Sequence, residues 1–209
     1  MLNNKFPVVP TFEEVHALSE RVSSPVLLQP WEAELLYKMA IKIPAGGVLV
    51  EVGSHYGRSS SLLLQVAKAI GFSTIHVDPY ADDDNYHGQE EILAGWRVLM
   101  DGIGHPYTLH RVRTIEADSL LPAEIDAAYI DGDHEGPGVA IDLRVVANRV
   151  KSGGYLATHD YGKTPLTPGC PPERWEHRFP DLTRVVDEYV ATGWEHIGIA
   201  ETMSVWRRK

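Results

Sequence analysis

Apolar residues follow two patterns along the chain: short runs rich in β-branched residues, and longer stretches with one apolar face. The run at residues 48–52, VLVEV, predicts a buried strand. Apolar positions between Val139 and Val150, and again between Leu182 and Val190, recur at helical spacing. Strands that alternate with helices predict a parallel sheet with helices on both faces. We therefore expect an α/β fold, a Rossmann-like three-layer sandwich around a mostly parallel, seven-stranded sheet.

The pattern also gives bounds for the individual elements. The last two strands are joined too tightly to be parallel, so they predict an antiparallel hairpin at an edge of the sheet. Lys151 and the pair Gly153 and Gly154 are expected to end the helix that precedes them. Predicted helices cover 11–22, 30–42, a stretch that ends at Ile70, 89–101, a stretch from Val139 to Val150, and 181–192; predicted strands cover 47–52, 74–78, 107–112, 127–131, 155–159, 194–200 and 203–207.

The chain predicts one domain over residues 1–209, since 209 residues suffice for one buried core and are few for two. Within it we expect helices in residues 1–45 and the Rossmann-like core in residues 46–209. The proline-rich segment 161–180 is the longest irregular stretch. Long irregular loops in compact domains often close over a binding site, so this segment is predicted to be a lid or binding loop.

Composition narrows the partners and the location. The formal net charge is −10 without a dense basic run, which disfavours nucleic acid and favours a small-molecule acceptor. The sequence has no apolar run of the roughly 18 residues that a membrane span needs and no signal-like start, so we expect no membrane and a cytoplasmic location. A single cysteine, Cys170, agrees with a reducing compartment. A homodimer is left open.

Polar residues collect where the predicted parallel strands end, and that edge is where α/β sheets bind ligands. Both Asp133 and His134 belong to one such group, in which His134 is interpreted as a loop residue and as an alternative base. The four groups are Glu51 with Gly53 and Gly57; Asp78; Asp131 with Gly132, Asp133 and His134; and Thr158, His159, Asp160 and Tyr161.

The loop GSHYGRS after the first strand fits a phosphate ligand poorly. His55 stands where a dinucleotide-binding loop has its middle glycine, and the spacing is one residue short of a P-loop. Glu51 would repel phosphate and attract an ammonium group, as in S-adenosylmethionine. Asp78, at the end of the second strand, could accept both ribose hydroxyls. Arg58 opposes the dipole of the helix that it begins, which indicates a ligand carboxylate or an acidic neighbour.

Five motifs in order over residues 30–162 resemble the class I S-adenosylmethionine-dependent methyltransferases, in the branch of macrocin-type O-methyltransferases and cephalosporin hydroxylase-like proteins. They are VEVGSHYGRSS, IHVDPY, ADSL, AAYIDGDHEGPGVAIDL and SGGYLATHDYG. The resemblance implies a cofactor site for S-adenosylmethionine in three parts, with Asp131 beside it. Glu51, Gly53, Ser54 and Gly57 would line the methionine end, Asp78 would hold the ribose, and Asp118 and Ser119 would lie beside adenine.

The resemblance also implies a catalytic centre made of Asp131, His159 and Asp160, the set that binds Mg²⁺ in metal-using relatives. Here His159 replaces one acid of that set, and a mixed set suits Mn²⁺, Fe²⁺ or Zn²⁺ better than Mg²⁺. Methyl transfer to a hydroxyl needs a metal or a base to remove its proton, and His159 could also be that base. We expect O-methylation of a small molecule, such as a sugar or a glycosylated metabolite.

Two other functions stay open from the sequence. The DGDH and HDY strand ends, which include Asp131, His159 and Asp160, could bind two cations in a metal-dependent hydrolase. Replacement of an acid by His159 also keeps open an adenosine-binding protein without methyl transfer. A fold does not fix a function, so the resemblance leaves both in place.

Overall fold

A computed structural model describes residues 9–21, 28–82, 87–164 and 176–209. Cys170 and most of the predicted 161–180 loop lie outside these residues, so the lid function stays a prediction. The division into one domain also stays a prediction. In the part of the chain that the structure describes, no helix combines the length and the apolar character needed to cross a membrane.

Seven strands form one sheet in the order β3-β2-β1-β4-β5-β9-β8. Strands β1 to β5 are parallel, whereas β9 pairs antiparallel with both β5 and β8. This arrangement confirms the predicted fold class and the C-terminal hairpin. The strands are β1 Val48–Val52, β2 Ser73–Val77, β3 Tyr107–His110, β4 Ile125–Ile130, β5 Val150–Thr158, the short antiparallel pair β6 Lys163–Thr164 and β7 Glu176–His177, then β8 Trp194–Ala200 and β9 Met203–Arg208.

Helices cover both faces of the sheet because each has one apolar face. Leu36 and Leu63 pack with Leu49 on one face, while Val139 and Leu182 belong to the core on the other. These contacts make the three layers that the sequence predicts. The helices are α1 Phe12–Ser19, α2 Pro30–Ala40, α3 Arg58–Ile70, α4 Gln89–Ile103, α5 Thr114–Ala117, α6 Gly136–Val145 and α7 Pro180–Val190.

The region around Gly153 differs from the prediction. Helix α6 ends at Val145, a 3₁₀ turn spans Ala147–Arg149, and β5 already begins at Val150. Residues 151–154 form a bulge, since the register moves from Ile125 opposite Val150 to Ala127 opposite Tyr155. The glycines thus serve the strand and do not end a helix: a Cβ on Gly154 would lie 2.6 Å from the carbonyl oxygen of Asp126.

The loop after β1 is fixed by its contact with the end of β4. Gly53 has φ +81°, and a Cβ there would lie 2.0 Å from the carbonyl oxygen of Asp131. Next to this contact, the amide of Asp131 donates to the carbonyl of Val52 at 2.9 Å. Only glycine allows both the left-handed conformation and this close approach. The ends of β1 and β4, which carry the candidate site, are therefore held in contact.

We predict that Gly53→Ala destabilises the protein more than Gly46→Ala, as measured by urea unfolding. Gly46 also has a positive φ, +76°, but an added Cβ meets nothing within 4 Å there. Gly46→Ala should cost about 1–2 kcal/mol of unfolding free energy from backbone strain. Gly53→Ala should cost roughly 1–3 kcal/mol more, because backbone must also shift. Equal losses in the two variants would show that the contact with Asp131 is not a constraint.

Candidate functional site

Glu51 lies beneath the loop and already has partners inside the protein. The side chain is 0% exposed, and its carboxylate accepts hydrogen bonds from three serine hydroxyls and from His76 Nδ1 at 2.6 Å. These hydroxyls belong to Ser54 at 3.1 Å, Ser59 at 2.6 Å and Ser60 at 2.5 Å. Glu51 therefore fixes the start of α3, and the predicted contact of its carboxylate with a ligand ammonium group would require one of these bonds to break.

Asp78 fixes the same loop from the end of β2. Its Oδ2 accepts hydrogen bonds from the amides of Ser54 at 2.8 Å and His55 at 3.0 Å, and its Oδ1 accepts from the amide of Tyr80 at 2.9 Å. A carboxylate has about four acceptor positions, so one remains for a ligand hydroxyl. The predicted ribose contact is thus compatible with the geometry of Asp78.

Several residues near the strand ends adopt strained backbone conformations. Within the described ranges His55, Tyr80 and Asp160 have positive φ values of 43°, 43° and 54°. Burial lowers the pKa of His55, although Asp78 and Asp131 act to raise it. His55 therefore lies within the influence of both carboxylates. Such strain costs on the order of 1–3 kcal/mol per residue and is often concentrated at functional sites.

Arg58 has an unused donor at the start of α3. Its Nε is buried and has no hydrogen-bond partner among the described residues. The preceding residue, Gly57, has φ +88° and begins the helix, and a Cβ there would lie 2.7 Å from Trp96 Cδ1. A buried, unpaired donor of a cationic group is unfavourable unless a ligand satisfies it. A carboxylate-bearing ligand such as S-adenosylmethionine fits this loop.

His159 lies among three carboxylates. Its Nε2 is 3.2 Å from Glu32 Oε2, and its Nδ1 is 3.3 Å from Asp131 Oδ1 and 3.4 Å from Asp160 Oδ2. The His159 side chain is only 7% exposed. Because ionised carboxylates only accept hydrogen bonds, both ring nitrogens must carry protons to serve these partners. His159 is therefore an imidazolium that offsets part of the negative charge of the acidic cluster.

The pKa shifts in this cluster agree with that charge assignment. Burial alone would lower the pKa of His159, but Asp131, Asp160 and Glu32 together raise it well above its usual value. Burial alone would raise the pKa of Asp160, but hydrogen bonds from His134 and His159 outweigh burial and lower it. The pKa of Glu32 is lowered in the same way, with burial opposed mainly by His159. All three groups are therefore held in their charged forms.

His134 is a second histidine that contacts Asp160. Its Nε2 donates to Asp160 Oδ2 at 2.8 Å, and its ring packs 4.4 Å from that of Phe179. Burial acts to lower the pKa of His134, but Asp160 raises it. Ligand atoms from Asp131, His134 and Asp160 lie within 4.8 Å of one another, a grouping that could hold a metal ion.

The metal-ligand or base role predicted for His159 stays a prediction, and this charge assignment disfavours it. A doubly protonated ring has no lone pair for a metal ion or for the proton of an acceptor. His134 uses one nitrogen for Asp160 and is partly exposed, so it is the better candidate for either role. Asp131 and Asp160 keep the positions that the sequence predicts.

Asp118 and Ser119 are not brought to the site. Both are exposed, and Arg149 Nη2 contacts the Asp118 carboxylate at 2.5 Å and its carbonyl at 2.6 Å. Arg149 directly precedes β5, so this pair lies at the amino ends of the strands, opposite the ligand edge. The reason is the single turn of α5, which carries the chain away from that edge after Thr114. Thr114 itself acts to lower the pKa of Asp142, near the loop that follows β4.

One buried hydroxyl in the site lacks a hydrogen-bond partner among the described residues. Thr158 at the end of β5 is 1% exposed, and its Oγ1 has no hydrogen-bond partner within the part of the chain that is described. Thr158 lines a small cavity together with Asp131, His134, Leu182 and Val186. A buried hydroxyl without a partner costs free energy, so this cavity favours an occupant that can hydrogen-bond.

One contributor to the site, Glu32, comes from outside the predicted motifs. Glu32 on α2 and Thr202 in the β8–β9 turn meet through hydrogen bonds of 2.6 and 3.0 Å to Glu32 Oε1. Glu32 reads in the sequence as an ordinary first-turn acid of a helix, which the dipole favours. What distinguishes Glu32 is its burial, and the burial of a charged residue cannot be recognised from the helical pattern alone.

The central part of the chain is similar to known methyltransferases. A family model described as a methyltransferase domain matches residues 50–161. An uncharacterised protein of Acanthamoeba polyphaga mimivirus is 31% identical over 119 residues, which cover 54% of this chain and 50% of that protein. The chain thus spans about half the length of this curated relative.

Two solved structures have similar folds. The SAH-bound methyltransferase PaMTH1 of Podospora anserina is 14% identical with a TM-score of 0.62, and the match covers 96% of this chain and 89% of that one. CalS11, a TDP-rhamnose 3′-O-methyltransferase of calicheamicin biosynthesis, is 12% identical with a TM-score of 0.61, covering 94% and 92% of the two chains. At these identities the similarity shows the fold alone.

We predict that His159→Gln destabilises the protein most at mildly acidic pH. Removing the imidazolium leaves the carboxylates of Glu32, Asp131 and Asp160 close together without the positive charge between them, at a cost of roughly 3–5 kcal/mol. The folded-state pKa of His159 is raised, so its contribution is complete below the unfolded pKa of about 6.5. It is then lost as the pH rises through the folded pKa.

Urea unfolding of wild type and His159→Gln between pH 6 and 9 measures this contribution directly. The difference in unfolding free energy should shrink as pH rises above the unfolded value. His196→Gln is a matched control, because His196 contacts the Ser204 hydroxyl at 2.9 Å. A difference that grows with pH would contradict the charge assignment.

Proposed function

We propose that this chain, which belongs to the methyltransferase domain family, transfers a methyl group from S-adenosylmethionine to a hydroxyl oxygen of a small molecule. One observation supports methylation of a hydroxyl in particular. The His134–Asp160 pair lies beside Asp131, whose carbonyl contacts the glycine loop. A basic side chain next to the cofactor loop is what methylation of a hydroxyl requires.

Bound S-adenosylmethionine supplies an electrophilic methyl carbon on a sulfonium. The acceptor oxygen forms its bond to that carbon while the carbon–sulfur bond breaks, and the hydroxyl proton must leave. His134 accepts this proton, and Asp160 orients the ring and stabilises the imidazolium that results. Both histidine positions thereby acquire distinct roles, since His159 keeps its protons throughout and holds the carboxylates in place.

The cofactor would be held by the loop and the end of β2. Gly53, Ser54 and Gly57 form the wall of the loop, and Asp78 has an acceptor position left for ribose. Arg58 Nε, which has no partner among the described residues, would donate to the methionine carboxylate. Glu51 supports the loop through the serines of α3. Asp118 and Ser119 have no part in this proposal, because they lie at the opposite edge of the sheet.

A divalent metal is the alternative means of removing the proton, and it would use the same side chains. Asp131, His134 and Asp160 would hold the ion, which would lower the pKa of the acceptor hydroxyl. One imidazole with two carboxylates suits Mn²⁺ better than Mg²⁺. Because His134 cannot be a metal ligand and a free base at the same nitrogen, the two routes exclude each other.

A sugar or glycosylated metabolite is the acceptor that we favour. The net charge of −10 disfavours polyanions. CalS11, which has a similar fold, is named as a TDP-rhamnose 3′-O-methyltransferase. The Thr158 hydroxyl supports an acceptor with a second polar group, because that group would satisfy a buried hydroxyl that otherwise has no partner among the described residues.

We predict that Asp160→Asn and His134→Gln each lower the rate of methyl transfer about 10²- to 10⁴-fold, the usual contribution of a general base. Affinity for S-adenosylmethionine, measured by calorimetry, should stay the same, because neither side chain lies in the cofactor loop. Asp181→Asn, an exposed change on α7, is the matched control. Full activity in Asp160→Asn would remove this residue from the catalytic set.

The same assay distinguishes base from metal. Wild type treated with EDTA should keep its rate if His134 is the base. Loss of the rate on chelation, with recovery on addition of Mn²⁺, would instead support the metal route. No transfer to any hydroxyl compound, with or without metal, would contradict the proposed function.

We predict that Arg58→Met weakens the binding of S-adenosylhomocysteine but not of 5′-methylthioadenosine, which lacks the amino acid part. A hydrogen bond between charged groups contributes about 1.5–3 kcal/mol, so the affinity should fall roughly 10- to 100-fold. Calorimetric titration of wild type and Arg58→Met with each ligand gives the loss of affinity for each, and the difference between the two losses is the contribution of the carboxylate contact. Arg144→Met, an exposed change on α6, should leave both affinities unchanged. Equal weakening of the two ligands would place Arg58 away from the carboxylate.

A further inference from the structure

Glu32 is a buried acid in the first turn of α2. Its side chain is 2% exposed, although a helix that packs on a sheet would gain more from an apolar residue there. A buried carboxylate is tolerated only when its oxygens are hydrogen-bonded. This requirement is met fully, which indicates that the position of the carboxylate is itself controlled.

The two oxygens of Glu32 are fixed by the β8–β9 turn and by the N-cap of its own helix. Oε1 accepts from the amide and the hydroxyl of Thr202 at 3.0 and 2.6 Å, and Oε2 accepts from the amide of Gln29 at 2.9 Å. Nearby, Trp31 Nε1 donates to Glu201 at 2.7 Å, which ties the same turn of α2 to the β8–β9 turn. The remaining contact of Oε2 is with His159 Nε2 at 3.2 Å.

This contact determines which way the His159 ring faces. With Nε2 directed at Glu32, Nδ1 is directed at Asp131 and Asp160. Asp160 in turn accepts from His134 at 2.8 Å. A continuous series of hydrogen bonds and ion pairs therefore runs from the β8–β9 turn, through Glu32 and His159, to the side chains in the proposed catalytic centre.

We propose that Glu32 is a positioning residue for methyl transfer: it holds the His159 ring so that Asp131 and Asp160 stay in place for His134. Its effect on turnover rests on the proposed function, whereas its effect on the ring of His159 does not. Residues that orient a functional side chain without touching substrate typically contribute 10- to 100-fold to activity. Such residues act on turnover and leave cofactor affinity unchanged.

The test is Glu32→Gln, with Thr202→Val as the matched variant. Thr202→Val removes one hydrogen bond to Oε1 and leaves the contact of Oε2 with His159, so it should lower stability without moving the ring. Nuclear magnetic resonance of protein labelled with nitrogen-15 in histidine reports the ring N–H groups of His159, and it needs no acceptor substrate. His159→Gln assigns the signals.

In wild type we expect two ring N–H signals from His159, both protected from exchange with water. Both should move or vanish in Glu32→Gln and stay unchanged in Thr202→Val. Unchanged signals in Glu32→Gln would overturn the proposal, as would equal changes in the two variants. If Glu32→Gln does not fold, Glu32→Asp, which keeps the charge but shortens the side chain, is read in the same way.

Kinetics give the second readout. With an acceptor from the hydroxyl screen, Glu32→Gln should lower kcat roughly 10- to 100-fold and leave KM for S-adenosylmethionine unchanged. Thr202→Val should keep kcat. If wild type transfers no methyl group, the proposed function fails while the resonance experiment still decides whether Glu32 positions His159. Moved ring signals with unchanged kcat would overturn the role of Glu32 in catalysis.

Discussion

A charged imidazole among three carboxylates is the interaction on which the centre of this protein depends. Asp131 and Asp160 both approach His159 Nδ1, and Glu32 approaches Nε2. Buried carboxylates at such spacing would repel one another and one or more would become protonated without a positive charge between them. The ring therefore lets two parallel strands, a helix and a hairpin turn meet at one point. It also leaves Asp160 ionised, which is the form that can orient His134.

The loop that follows β1 is rigid for different reasons. Main-chain amides of Ser54 and His55 are held by Asp78, hydroxyls of α3 are held by Glu51, and Gly53 lies against the main chain of Asp131. These constraints come from the protein itself, so the loop does not depend on a ligand for its shape. A preorganised loop avoids the entropy cost of ordering on binding. Its contact with Asp131 joins the cofactor loop to the side chains proposed for proton removal.

Much of the fold could be predicted from the sequence because apolar patterns report which faces are buried. The alternation of strands and helices and the C-terminal hairpin followed from such patterns, and acids at strand ends indicated the edge of the sheet that carries the site. What could not be predicted depends on contacts between distant segments. No local pattern distinguishes the buried Glu32 from a solvent-exposed first-turn acid, and none shows that three serines satisfy Glu51. Helix α5 has one turn, which is too short to show a helical period in the sequence. The sequence therefore did not show that α5 carries Asp118 away from the ligand edge of the sheet.

Detection of the methylated product is the most direct test of methyl transfer from S-adenosylmethionine to oxygen. S-adenosylmethionine labelled with carbon-13 in its methyl group would be incubated with the protein and a set of sugars and glycosides, and products observed by carbon nuclear magnetic resonance. A new labelled methyl signal is expected at the chemical shift of a methyl ether, and it should be absent with Asp160→Asn. Label that appears only on nitrogen or carbon, or that never leaves the cofactor, would contradict it.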